Sequence, residues 1–255
     1  MSSPYELLNR VPNPDFGSGC YRRSIRLLGL QGKVIAELED CNHGFRSTVH
    51  HNGEAVTDIE PEALRYPLTS CPGALEPIRE LVGTPLAMDT RSIIHRVDPR
   101  ANCTHLYDLS VLAIHHALRG DSERRYDVTV PDEKDGPVEA TVALNGKTLL
   151  TWKIHNWTIQ DSGPLQGKPL GRGFSEWASK LLDGDAREAA FVLQKGYFVS
   201  GARRFDISKL AGTPVTDATG MACYSYRPGI IENAVRTADS TRDFTDTPEQ
   251  LLKFR

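Results

Sequence analysis

The sequence lacks most of the features that declare a function at once. No segment approaches ~18 consecutive apolar residues, so no membrane-spanning helix is expected. No run of five lysines or arginines occurs, and the 30 basic and 33 acidic residues are interspersed at a net charge of −3. Neither a nucleic-acid face nor an anionic-membrane face is therefore expected. The five cysteines, Cys20, Cys41, Cys71, Cys103 and Cys223, are odd in number, widely spaced and without a C-x-x-C pair, which does not fit a secreted disulfide scaffold. The first residues, Met-Ser-Ser-Pro-Tyr-Glu, show no charged start followed by an apolar stretch. No signal peptide is expected, and the cytoplasm is the expected location. There is no G-x-x-x-x-G-K-[ST], no G-x-S-x-G and no H-E-x-x-H, and Gly171-Arg172-Gly173 lacks a third glycine at dinucleotide-binding spacing. No cofactor is expected.

What remains is a globular balance. With 39% hydrophobic and 25% charged residues, a chain of 255 can bury a core without disulfide or metal. Residues 1–20 are rich in Pro, Asn, Gly and Ser and read as a lead-in arm, either loosely ordered or wrapped on a second copy in a homodimer. From Tyr21 the pattern alternates. Ser24 to Leu30 and Lys33 to Glu39 flank Gln31-Gly32, and Arg46 to His50 and Ala55 to Ile59 flank Asn52-Gly53, a strong hairpin signal. A helix is expected from Thr69 or Ser70 to Gly83, and a longer one from about Cys103 to Leu118 before Gly120.

The order then repeats. Strands are expected at Tyr126 to Val130, Val138 to Leu144 and Thr148 to Ile154, with helices at Phe174 to Leu182 and from Asp185 to Gly196. The stretch Thr48 to Gly53 aligns with Thr141 to Gly146 at both Asn-Gly turns, and Arg22-Arg23 and Arg124-Arg125 each precede the expected first strand of their half. In the tail, aromatic Tyr197, Phe198 and Phe205 point to a strand within Gln194 to Ile207. Ala222 to Tyr226 reads as another strand, and Ile230 to Arg236 as a helix. The expectation is an α+β fold of two similar halves, 21–120 and 121–255, each with antiparallel strands and a hairpin followed by helices.

The most chemically loaded stretch is Cys103-Thr104-His105-Leu106-Tyr107-Asp108, at a helix start. The positive end of a helix favours a Cys103 thiolate and a neutral His105. Asp108, three residues on, shares a face with His105 and can orient its ring, as general-base catalysis requires. The plainer alternative is a capped helix start. Tyr224 and Tyr226, on one face of the expected strand, and Arg227 offer donors to a developing oxyanion. Arg203, Arg204 and Tyr107 are candidates for substrate binding, the arginines through a bidentate fork to a carboxylate. Cys41, Cys71, Cys103 and His105 are the residues from which a metal or iron–sulfur scaffold would be built. Their loose spacing favours small buried thiols instead, so no metal is assigned.

Cys71-Pro72-Gly73-Ala74, Leu81-Val82-Gly83 and Cys103-Thr104-His105-Leu106 resemble a bacterial family catalogued as a domain of unknown function, with a C-P-x-A…C-T-H-L signature. The resemblance covers about residues 21–120 and extends more loosely beyond. It implies a role in the breakdown of aromatic compounds, through a branch resembling phenylcoumaran γ-formaldehyde lyase. The implied activity is a cofactor-independent carbon–carbon lyase acting on a lignin-derived phenolic dimer, with a small aromatic substrate as partner. A metal or iron–sulfur scaffold and a non-catalytic small-molecule binder are the alternatives.

Overall fold

Alternation builds the centre of the molecule. In β1 (Cys20–Leu30), Tyr21, Arg23, Ile25 and Leu27 point to one face and are buried. The turn at Gln31-Gly32 sets Leu30 opposite Lys33 of β2 (Lys33–Asp40), and every later pair follows, ending with Arg23 opposite Asp40. β3 (Gly44–His51) and β4 (Val56–Arg65) complete an antiparallel meander. A second meander follows in β5 (Glu123–Pro131), β6 (Val138–Leu144), β7 (Lys147–His155) and β8 (Thr158–Ile159). β1 and β5 pair antiparallel, so one eight-stranded sheet, in the order β4-β3-β2-β1-β5-β6-β7-β8, runs through both halves. This computed structural model describes residues 11–215 and 223–254.

Among the described residues, four α-helices accompany the sheet: α1 (Thr90–Arg96), α2 (Thr104–His116), α3 (Phe174–Leu181) and α4 (Gly184–Ser200). α2 packs on β1, β2 and β3, and α4 on β1, β5, β6 and β7. Ser47 bonds Ser110 of α2 at 2.8 Å, and Gly196 of α4 lies against Val128 and Tyr21, so both helices cover one face. A Cβ on Gly196 would sit 2.7 Å from Val128, which is why glycine occupies this mid-helix position. Part of the opposite face carries a ladder of charge, with Arg26, Glu37, Arg46 and Glu62 in cross-strand register and ion-paired in turn. The α+β class stands.

Several local expectations are corrected. The helix expected from 70 to 82 is two 3₁₀ turns, Cys71–Leu75 and Pro77–Leu81, because Pro77 has no N–H to continue an α-helix. α1, capped by Asp89 accepting from Ser92 N–H, was not expected. α4 begins after Asp183 rather than Asp185 and runs through Gly196 to Ser200, so no strand forms at 194–207. Tyr197 and Phe198 are helical because Ala189, Ala190, Leu193, Gly196 and Tyr197 form a buried stripe at helical spacing, and that burial outweighs aromatic strand preference. Tyr224–Tyr226 and Ile231–Asn233 are 3₁₀ turns, and Ala222 lies outside the described residues.

The Asn-Gly alignment is one strand out of step. Asn52-Gly53 joins β3 to β4, whereas Asn145-Gly146 joins β6 to β7. Only the second turn has both residues at positive φ; at the first, Asn52 instead accepts the N–H groups of Glu54 and Ala55 with its side chain. Arg22-Arg23 and Arg124-Arg125 lie within β1 and β5, not before them. In the lead-in, whose residues 1–10 fall outside the described part, Asn13 N–H bonds Arg204 O and Pro12 bridges Phe205. Among the described residues, no helix is long and apolar enough to cross a membrane. All five cysteines are free thiols.

Candidate functional site

The hairpin register puts two opposite charges on the core face. Arg23 is 3% exposed and Asp40 0%. Arg23 Nη2 lies 2.8 Å from Asp40 Oδ2, and Tyr21 OH donates to the same oxygen at 2.7 Å. The other oxygen, Oδ1, ends the strand. It accepts the backbone N–H groups of Asn42 and His43 at 2.8 and 2.9 Å and so shapes the turn between β2 and β3. It also accepts His43 Nδ1–H at 3.0 Å. With Nδ1–H donating to the carboxylate, the lone pair of an imidazole base at this position falls on Nε2.

α2 brings a second imidazole. The rings of His105 and His43 stack with centroids 3.8 Å apart, and Phe45 extends the row at 6.0 and 6.4 Å, all planes within 25°. His105 Nε2 is buried without a hydrogen-bond partner, 3.8 Å from Asp40 Oδ2. Burial, with the neighbouring His43 and Arg23, pushes the His105 pKa well below the histidine range, so the ring is neutral near pH 7. For Asp40, burial alone would raise the pKa. His43 and Arg23 outweigh it and hold the carboxyl well below its usual range.

These rings form the floor of a cavity of about 370 Å³. Thr104 and Asp108 of α2 and Gln194, Lys195, Phe198 and Val199 of α4 line it on two sides. Pro67, Leu68 and Cys71 lie on the segment after β4, and Cys223, Ser225, Tyr226 and Arg236 on the tail. The site thus sits where the helices of the two halves meet the tail.

The structure places the expected residues unevenly. His105 lies in the floor. Asp108 lines the cavity but pairs with Lys195 at 3.0 Å, and the carboxylate facing His105 is Asp40. Tyr226 lines the wall, whereas Tyr224 packs over Gly73, where a Cβ would lie 2.6 Å from its hydroxyl. Because this segment is a 3₁₀ turn, Tyr224 and Tyr226 do not share a strand face, and Arg227 is exposed outside the lining. Arg203 is bound to Asp132 at 2.7 Å and Asp243 at 3.2 Å, and Arg204 donates to Glu133 O at 3.0 Å and covers the Phe16 ring. Tyr107 points into the core and donates to Val97 O at 3.1 Å. Asp40, His43 and Tyr21 are the residues that sequence reasoning missed.

The residues of the metal-scaffold alternative, Cys41, Cys71, Cys103 and His105, are not gathered into one ligand set. Among the described residues, the one group of His, Cys, Asp or Glu with ligand atoms all within 4.8 Å of one another is Asp40, His43 and His105. That trio is poorly suited to a cation. Both Asp40 oxygens already accept several donors, and the Arg23 guanidinium at 2.8 Å would repel a metal bound there. The Cys103 thiolate expectation is also corrected. The thiol donates a hydrogen bond to Cys223 and is buried, and both raise its pKa.

Residues 31–119 match the family described as "Protein of unknown function (DUF2889)". The matched region contains Asp40, His43, Cys71, Cys103 and His105. No curated protein matches the chain.

Proposed function

We propose that the cavity is the active site of a cofactor-independent carbon–carbon lyase that releases formaldehyde from a phenolic dimer of the phenylcoumaran type. The observation that carries this reading is His43, held by the buried Asp40 carboxylate and stacked on neutral His105 beneath a largely apolar cavity. A carboxylate that fixes the imidazole tautomer and faces the cation formed on proton uptake is what a general base needs. The ring stack offers a flat surface to an aromatic substrate, and the volume falls in the range of small-molecule sites. A pocket floored by ionisable groups supports catalysis over passive binding. The choice of reaction rests on the resemblance carried by Cys71–Ala74, Leu81–Gly83 and Cys103–Leu106.

In the proposed reaction, His43 Nε2 takes the proton of the primary alcohol. The O–H electron pair becomes the second bond of formaldehyde as the C–C bond breaks. The released pair forms the stilbene double bond, and the ring ether opens to phenoxide. The proton held by His43 then passes to the phenoxide, so atoms, charge and electrons balance without oxidant or reductant. Lys195, at the wall, supplies positive charge toward the leaving oxygen.

The test is incubation of the pure protein with phenylcoumaran dimers. Formaldehyde and stilbene are expected in equal amounts, and His43→Gln is expected to lower kcat about 10²–10⁴-fold with the fold intact. Absence of formaldehyde with every dimer, beside an active control enzyme, overturns the reading.

A further inference from the structure

Three of the five cysteines, Cys71, Cys103 and Cys223, line the same cavity, and the proposed reaction uses none of them. Two are held side by side. Tyr224 N–H donates to Asn102 O at 3.0 Å, which lays the backbone before Tyr224 alongside the backbone after Asn102. Cys223 and Cys103 are the adjoining residues, and their thiols share a hydrogen bond with Cys103 as donor. The Cys223 sulfur also accepts the N–H groups of Ser225 and of Thr104, the first residue of α2. Cys71 is engaged separately and accepts from Ser225 Oγ at 3.4 Å.

This geometry has the parts of a reactive cysteine with a resolving partner. A sulfur that receives three donors at a helix start is stabilised as thiolate, the form that attacks electrophiles. The hydrogen bond from Cys103, followed by the two backbone N–H groups, outweighs burial and lowers the Cys223 pKa. Cys103 has the opposite character, a protonated thiol in contact with the first.

We propose that Cys223 is a peroxide-reactive site and Cys103 its resolving thiol, so that oxidation closes a Cys103–Cys223 disulfide in the cavity wall. The Cys223 thiolate attacks one oxygen of hydrogen peroxide. The O–O bond breaks, a sulfenic acid forms, and hydroxide leaves and is protonated to water. Cys103, losing its proton, then attacks the Cys223 sulfur, and the S–O bond breaks with release of a second water. Two thiols are oxidised to one disulfide, and one peroxide is reduced to two waters. The bond would tie the tail to the start of α2, two residues from His105.

The test is brief treatment of the full chain with hydrogen peroxide, then peptide mapping without reductant. A linked pair of peptides carrying Cys103 and Cys223 is expected, with a loss of two hydrogens. Cys103→Ser is expected to leave a sulfenic acid on Cys223 that dimedone captures, roughly tenfold faster than at the partly exposed Cys20. Cys71→Ser is expected to keep the linkage. Preferential oxidation of Cys20, a Cys71–Cys223 link, or no linked pair in the wild-type chain overturns the proposal. The wild-type map decides even where a variant fails to fold.

Discussion

Each half of the sheet carries a tyrosine, an arginine and a carboxylate in contact. In the first, Arg23 lies over the Tyr21 ring at 5.7 Å and binds Asp40. In the second, Arg124 lies over the Tyr126 ring at 5.6 Å and pairs with Asp185 at 2.6 Å and Glu188 at 3.8 Å. The residue types match, but the surroundings do not. The Asp40 side chain is 0% exposed and turns its second oxygen to His43 at the cavity floor. Those of Glu188 and Asp185 are 13% and 49% exposed and bind arginine and the Tyr126 hydroxyl. One trio feeds an imidazole, and the other pins a helix to the sheet. Burial and the neighbouring group, rather than composition, separate a candidate site from a strut.

The sharpest way to break this comparison is Asp40→Ala. It leaves Arg23 buried without its carboxylate and is expected to cost about 3–5 kcal/mol in denaturant unfolding. The double variant Arg23→Met, Asp40→Leu is expected to recover much of that loss, because no buried charge is then left unpaired. Gly196→Ala is expected to cost about 1–3 kcal/mol, since the new methyl meets Val128 and must push α4 off the second half of the sheet.

The pH dependence comes next. A buried His105 with a lowered pKa stays neutral where the unfolded chain, titrating near ~6.5, takes up a proton. Stability is therefore expected to fall as pH drops below ~6.5, by up to about 1.4 kcal/mol per pH unit for this group. Asp40 adds a loss at lower pH, as the medium falls through its depressed folded pKa. His105→Phe is expected to flatten the first of these slopes; an unchanged slope places the titration elsewhere. The smallest effect is Glu188→Ala. It breaks the second trio at a partly exposed position and is expected to cost about 1 kcal/mol, measured by the same unfolding curves.

The same contrast shows what the sequence makes legible. β1 to β7 follow from alternation and their turns, because those signals are local, whereas the two-residue β8 was not expected. Arg23 and Asp40 were missed because the expected strands, Ser24 to Leu30 and Lys33 to Glu39, each stop one residue short of them; the register counted outward from Gln31-Gly32 pairs the two on the buried face. His43 is not legible, since its role depends on a side chain curling its own turn and on a helix start that stacks a ring from far along the chain. His105 was visible in the first turn of an expected helix. Its carboxylate neighbour was not, because helical spacing pointed to Asp108, which Lys195 of α4 holds. The tail failed for a similar reason. Aromatic content favours strands, yet the buried stripe of α4 carries the helix past Gly196 to Ser200.

Arg65, at the end of β4, donates to Asp40 O, Cys41 O and His43 O around the turn that carries His43, and also to Ser240 O in the tail. The clamp that steadies this turn therefore joins chain 175 residues apart in sequence. The first meander has all its strands well before that segment. A nascent chain could pair β1 to β4 early, but Arg65 gains its last acceptor only when the segment around residue 240 docks. On this account the turn that carries His43 is fully clamped only after the frame that holds it has formed.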